Sequence, residues 1–121
     1  SLGMHGFELD DAEKALYHAA AASAANFPLA ALSMSRRLFE AAGVPFDAAG
    51  PLVQAIVTNA FDMGPEAALT GPIARADVGT VAAQFAAVQE HAPELAADFV
   101  ALARVTAAVA GTSEAIDEAL E

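Results

Sequence analysis

Apolar residues recur along this chain at helical spacing, and breaker residues cut the pattern into segments. From Asp11 to Ala42, the residues Leu16, Ala20, Ala24, Phe27 and Ala31 follow steps of four and three, which forms one stripe along a helix. Asp10 or Asp11 stands where a cap belongs, Glu13 adds negative charge to the first turn, and Gly43 suits the position just past the end. Pro28 removes the amide that would bond the carbonyl of Ala24. It therefore predicts a kink near Ala24 to Pro28, or two helices over 11–26 and 28–42. Arg36 and Arg37, near the end, complement the helix dipole.

Beyond Gly43, Val44-Pro45-Phe46-Asp47 reads as a connector with Asp47 as cap. A helix over about 48–62 follows. It carries Leu52, Ile56 and Ala60 four apart, with Val53 and Val57 beside them, and Gly64-Pro65 ends it. Residues 64–76 hold the densest breaker cluster but stay apolar, which predicts an ordered loop or short helix packed on the core. Asp77 caps a helix to about His91 with Val81, Phe85 and Val88 inward. Pro93 suits the first position of the next helix, which carries Leu95, Phe99, Leu102 and Val105 and stops at Gly111. A last helix, Thr112 to Glu121, turns Ile116 and Leu120 inward. The expected fold is all-α: a compact bundle of about five to six helices in one domain over residues 7–121. Residues 1–6 read as a tag or disordered start.

Composition sharpens this picture. Alanine accounts for 34 of the 121 residues and has the best helix propensity. Small inward residues let helices approach closely but bury little area each, so an isolated core is thin and a partner is expected. That partner is a second copy, giving a homodimer, or a further domain. The formal net charge of −11 argues against nucleic acid and anionic membrane surfaces. With no cysteine, disulfides, thiolate metal sites and a Cys nucleophile are excluded. The longest uncharged run, Ala15 to Ser35, contains His18, Asn26 and Pro28 and is rich in alanine rather than leucine, so no membrane span is expected. No basic segment followed by a leucine-rich one opens the chain, and a cytoplasmic location is expected.

Candidate chemistry lies where polar residues sit in apolar surroundings, because burying them unpaired is costly. Tyr17, His18, Ser23 and Asn26 lie within an alanine-rich helix, with His18 and Asn26 about two turns apart. They form either a polar patch lining a cleft, with His18 as acid/base or ligand-binding group, or a set of internal or interface hydrogen bonds. The second feature is Leu69-Thr70-Gly71-Pro72-Ile73-Ala74-Arg75-Ala76-Asp77. Gly71 permits geometries closed to other residues, Pro72 fixes the turn and Thr70 can bond to it. Arg75 is one of five basic residues. Thr70 and Arg75 bind a ligand carboxylate or phosphate, or the segment is a structural turn in which Arg75 pairs with Asp77 or caps a helix. His5, His18 and His91 lack zinc spacing, so no metal is expected. Met34 and Met63 read as core fillers, and no glycine-rich phosphate loop is present.

Several stretches together resemble one family: Leu16-Tyr17-His18-Ala19-Ala20-Ala21, Ala25-Asn26, Gly50-Pro51-Leu52-Val53 and, most specifically, Ala68-Leu69-Thr70-Gly71-Pro72-Ile73-Ala74-Arg75 with Asp77 and Thr80-Val81. The family is a helical C-terminal domain of unknown function carried by Rossmann-like NAD(P)-dependent oxidoreductases. Its fold is similar to the C-terminal domain of 6-phosphogluconate dehydrogenase and of ketopantoate reductase. The likeness runs from about Phe7 to Val105. It implies a two-domain parent whose N-terminal Rossmann domain is missing here, with NAD(P) bound by that parent and by no part of this chain alone. It further implies a homodimer, with Tyr17, His18 and Asn26 facing the nicotinamide cleft as catalytic or lining residues, and Thr70, Gly71, Pro72, Arg75 and Asp77 near it. This chain departs from the family pattern in having Arg75-Ala76-Asp77 where Arg-Gly-Asp is usual, so a glycine-dependent turn is expected to differ or relax. Gln84-Phe85 also replaces a usual His-Leu. The alternative reading is a free-standing helical homodimeric interaction module without catalysis.

Overall fold

Capping chemistry sets where the helices begin and end. The computed structural model describes residues 9–121. Its α-helices are α1 (Asp11–Ala41), α2 (Ala49–Met63), α3 (Pro65–Ala68), α4 (Val78–His91), α5 (Ala96–Ala110) and α6 (Ser113–Ala119). Short 3-10 turns, Phe46–Ala48 and Pro93–Leu95, lead into α2 and α5. No strand occurs among the described residues, and the six helices agree with the all-α expectation. The reading of residues 1–6 as a tag or disordered start, and that of His5, lie outside the described residues.

The chain divides into two units, Ser1–Ser33 and Met34–Glu121. In the first, α1 opens with a reciprocal capping box. The Glu13 N–H donates to Asp10 Oδ1 at 2.8 Å and the Asp10 N–H donates to Glu13 Oε1 at 3.1 Å. The helix then runs unbroken through Pro28, so the division into two helices does not occur. Alanine-rich sequence on both sides of the proline favours helix strongly enough to absorb one lost hydrogen bond. No residue of α1 is buried, and the expected stripe residues Leu16 and Phe27 are exposed.

In the second unit the core forms where α4, α5 and α6 meet. Val81, Phe85, Ala103, Ala107, Ile116, Ala119 and Leu120 are buried together, and the rings of Phe85 and Phe99 stack with centroids 6.3 Å apart. Alternating large residues with alanine lets these helices approach closely despite the composition. A smaller cluster of Val88, Ala92 and Leu95 receives Met34 and Leu38 from the end of α1. The inward positions expected on α4 and α6 are all met. On α5 the buried residues are Ala103 and Ala107, while Leu102 and Val105 are exposed.

Around α2 the structure departs from the sequence reading. This helix packs against the Phe46–Ala48 turn and α3, burying Ala49, while Leu52, Ile56, Val57 and Met63 stay exposed. Met63 is therefore no core filler, unlike Met34. Asp47 does not cap α2: it lies inside the 3-10 turn, whose own hydrogen bonds already satisfy the first amides. Arg37 falls short of the last turn of α1 and pairs instead with Glu94 at 3.7 Å. Among the described residues, no helix is long and apolar enough to cross a membrane.

Ile116 is fully buried at the meeting point of three helices. Ile116→Ala is expected to destabilise the fold by about 2–5 kcal/mol, read from the denaturant midpoint of the helical circular-dichroism signal.

Candidate functional site

The segment from Thr70 to Thr80 is ordered by two backbone devices placed end to end. The first is a single helical turn closed by a Schellman motif. The Arg75 N–H bonds the Gly71 carbonyl at 3.1 Å, the Asp77 N–H bonds that of Pro72 at 2.9 Å, and the Ala76 N–H bonds that of Ile73 at 3.2 Å. Such a motif needs a left-handed residue at the position past the cap. Here that residue is Ala76, with φ at +55°, the one non-glycine residue of positive φ among the described residues. At the matching positions after α1 and α5, the same bond pattern is closed by Gly43 and Gly111. Alanine thus closes here a turn of the kind that glycine closes elsewhere in the chain, and it does so in the strained left-handed conformation.

The second device is the N-cap of α4. The Thr80 N–H donates to Asp77 Oδ1 at 3.2 Å and the Thr80 hydroxyl donates to Oδ2 at 2.8 Å. Both bonds favour the carboxylate and hold the Asp77 pKa below its ordinary value, the Thr80 hydroxyl contributing most and nearby Arg75 adding a smaller effect. Asp77 therefore occupies the N-terminus of α4, where an anionic ligand would otherwise compete. The Arg75 guanidinium lies 4.0 Å from Asp77 Oδ2 and is largely exposed, a geometry that adds little to stability and leaves most of its donors facing solvent.

Sequence reasoning missed the residue that ties this turn to the core. The Thr112 hydroxyl donates to the Ile73 carbonyl at 2.8 Å, a partly buried bond across 39 positions. A threonine directly after the glycine that ends α5 was the available signal, but only the fold shows what it reaches. Thr70, expected to bond the turn, is exposed. It lies on an apolar groove of about 250 Å³ with Ile56, Ala60, Pro65, Ala68 and Leu69. Ala76 lines a different groove of about 440 Å³, with Gly111, Thr112, Glu114 and Glu118 among its walls. Gly71 has φ at +97°, a conformation that its lack of a β-carbon permits, and both Gly71 and Pro72 are half-buried.

In the other unit, Tyr17, His18 and Asn26 lie on α1. Tyr17 is half-buried, His18 and Asn26 are exposed, and the Tyr17 and His18 rings stand 5.9 Å apart. Eight residues separate His18 from Asn26, a rise of about 12 Å along the axis, so they do not meet directly. The Ser23 hydroxyl donates to the Ala20 carbonyl at 2.8 Å, a local back-bond within the helix. His91, at the end of α4, lies 3.6 Å from Glu90. Among the described residues, no group of three His, Asp or Glu side chains could hold a metal ion.

The fold and the turn thus define an all-α helical domain with an ordered, cap-linked turn bearing an exposed arginine. The chain belongs to the family catalogued as a domain of unknown function, DUF2520, whose model matches residues 1–106. No curated protein and no solved structure matches it.

Two measurements check this account of the turn. Ala76→Gly is expected to stabilise the protein by about 1 kcal/mol, because it removes the left-handed cost of a β-carbon. Asp77→Asn is expected to lower the denaturant midpoint at neutral pH. Because the folded pKa of Asp77 is depressed, its ionic contribution is complete above the ordinary aspartate pKa of about 3.9 and fades as pH falls toward the folded value. The gap between wild type and variant should therefore narrow only in acid.

Proposed function

We propose that this chain is the substrate-side and dimerisation domain of an NAD(P)-dependent oxidoreductase-like protein. The observation that carries the reading is the strained turn. A non-glycine residue held in the left-handed region costs free energy and persists where the surroundings over-determine it, which happens most often at functional sites. This turn keeps Arg75 exposed in a chain with only five Lys and Arg residues. The likeness of Leu69-Thr70-Gly71-Pro72 with Arg75 to the helical domains of such oxidoreductases supports the same reading.

In this proposal Arg75 engages an anionic group of the substrate with its free donors. His18 serves as proton donor or acceptor, with Tyr17 beside it and Asn26 about two turns further along α1. Thr70, Gly71, Pro72 and Asp77 shape and hold the turn. The chain's own residues do not fit a dinucleotide. The described residues form helices without the strand and glycine-rich loop that cradle a pyrophosphate, and Asp77 closes the N-terminus of α4. NAD(P) would be held by a separate nucleotide-binding domain, and the chemistry assigned here is substrate binding and proton handling. The alternative, a homodimeric helical module without catalysis, draws on the exposed apolar side chains of α2.

The test begins with the intact mass of the protein from its native cells. The two-domain reading expects roughly 25–32 kDa, whereas the 12.2 kDa of this chain would favour the module. In the native-length protein, consumption of NADH or NADPH is then followed with a panel of small carbonyl compounds. His18→Ala and Arg75→Ala are each expected to lower turnover by about a hundredfold or more while the helical signal is unchanged. Wild-type rates in both variants would remove these residues from the site.

A further inference from the structure

We infer that Thr112 is a positioning residue for Arg75, fixing where the guanidinium stands when it engages the anionic group of a substrate. The inference rests on the role of Arg75 proposed above and adds a residue beyond the stretch that the family model matches. It starts from a bond that Thr112 does not make. Thr112 is the N-cap of α6, where a threonine hydroxyl ordinarily accepts a hydrogen bond from a first-turn amide of its own helix. Here no side-chain cap bond forms. The hydroxyl instead donates to the Ile73 carbonyl at 2.8 Å, across 39 positions. Helix α6 thereby forgoes a cap that would stabilise it, and the turn carrying Arg75 gains a tie to the core.

The tie falls on the carbonyl at the centre of that turn. The Ile73 carbonyl also accepts the Ala76 N–H at 3.2 Å, within the Schellman closure. A carbonyl oxygen has two lone pairs, so one closes the turn while the other takes the Thr112 hydroxyl. Ile73 precedes Arg75 by two positions and packs against the buried cluster of α4, α5 and α6. Thr112 is itself held on both sides. Its N–H donates to the Ala107 carbonyl at 2.9 Å, and its carbonyl accepts the Ile116 N–H at 3.0 Å. The hydroxyl therefore projects from fixed backbone.

No close side-chain contact orients Arg75. Its guanidinium lies 4.0 Å from Asp77 Oδ2 and the side chain is 64% exposed, a pair too loose and too well solvated to set its direction. The backbone of residues 71–77 sets it instead. Two side-chain ties join that backbone to the rest of the unit: Asp77 caps α4 at one end, and Thr112 holds the middle. Removing the Thr112 hydroxyl leaves the cap and the Schellman bonds in place. The turn then survives, but the guanidinium loses its fixed origin. Bidentate bonding to an oxyanion is sensitive to such slack, because two N–H···O bonds must be met together.

The test uses the native-length protein, with inorganic phosphate titrated as the oxyanion probe while the Arg75 backbone amide is followed by nuclear magnetic resonance. In wild type this amide is expected to shift and saturate. Thr112→Val, which keeps the shape but has no donor, should weaken phosphate binding about tenfold, the loss of one charge-assisted hydrogen bond. Thr112→Ala should match it, and Thr112→Ser, which restores the hydroxyl, should return the wild-type affinity. Ala101→Gly, at an exposed position of α5, is the stability control. A glycine inside a helix costs about as much as a lost hydrogen bond, yet the phosphate affinity should not change. Wild-type affinity without the hydroxyl, no recovery in Thr112→Ser, or an equal loss in Ala101→Gly overturns the positioning role and leaves anion binding by Arg75 standing. A wild-type Arg75 amide that ignores phosphate removes the anion role, and the positioning role falls with it. The expected phosphate pattern without dinucleotide consumption upholds Thr112 and Arg75 together and overturns only the oxidoreductase reading.

Discussion

The structure depends on closing a core with very few large side chains. Among the described residues, only Leu95, Ile116 and Val81 are both large and fully buried. The space between α4, α5 and α6 is otherwise taken up by alanines, which let the backbones approach until dispersion contacts become dense. Such a core gains stability from proximity more than from the area of any one side chain. It therefore has little spare material to cover a further element, and α2, outside it, keeps most of its apolar side chains in water. The exposed face of α2 is the counterpart of the small core, since both follow from the same alanine content.

The strained turn becomes intelligible beside that core. A left-handed alanine is unfavourable by about 1–2 kcal/mol, and nothing local forces it. What holds it is a chain of bonds on both sides. The Schellman closure fixes residues up to Asp77, and Asp77 in turn caps α4, whose Val81 and Phe85 are locked in the core. Thr112 holds the middle of the turn through the Ile73 carbonyl. Relaxing Ala76 would therefore mean giving up a cap and moving α4. The conformation of Arg75 follows from this geometry and owes little to its 4.0 Å contact with Asp77.

Much of this was legible in the sequence, and the parts that were not share a cause. The starts and stops at Asp10, Gly43, Asp77, Pro93 and Gly111 are local events, decided by caps and left-handed residues within a few positions. So are the inward residues of α4 and α6, because a strong period and a close partner coincide. Periodicity shows which residues share a face, but not whether anything covers it. Leu16, Phe27, Leu52 and Ile56 lie on true helical stripes and remain exposed. Of the two readings that Pro28 allowed, the division into two helices does not occur, since alanine-rich flanks outweigh one missing hydrogen bond. At the candidate site, the turn and the cap could be read locally. The Thr112 bond could not, because it joins residues 39 positions apart.

The family match ends at residue 106, inside α5, yet the core is completed from beyond it. Ile116, Ala119 and Leu120 of the C-terminal segment are buried against Val81 and Phe85 of α4, while Thr112 reaches back to the turn that carries Arg75. The last fifteen residues therefore act on the candidate site in two ways, by anchoring the helix that Asp77 caps and by bonding the turn directly. A change that loosens α6 should consequently be felt at Ala76 before it is felt at α2, which packs on its own turn and on α3. The turn and α2 thus rest mainly on different supports within one unit. The contact between them is the groove where Ile56 and Ala60 of α2 meet Thr70 at the start of the turn.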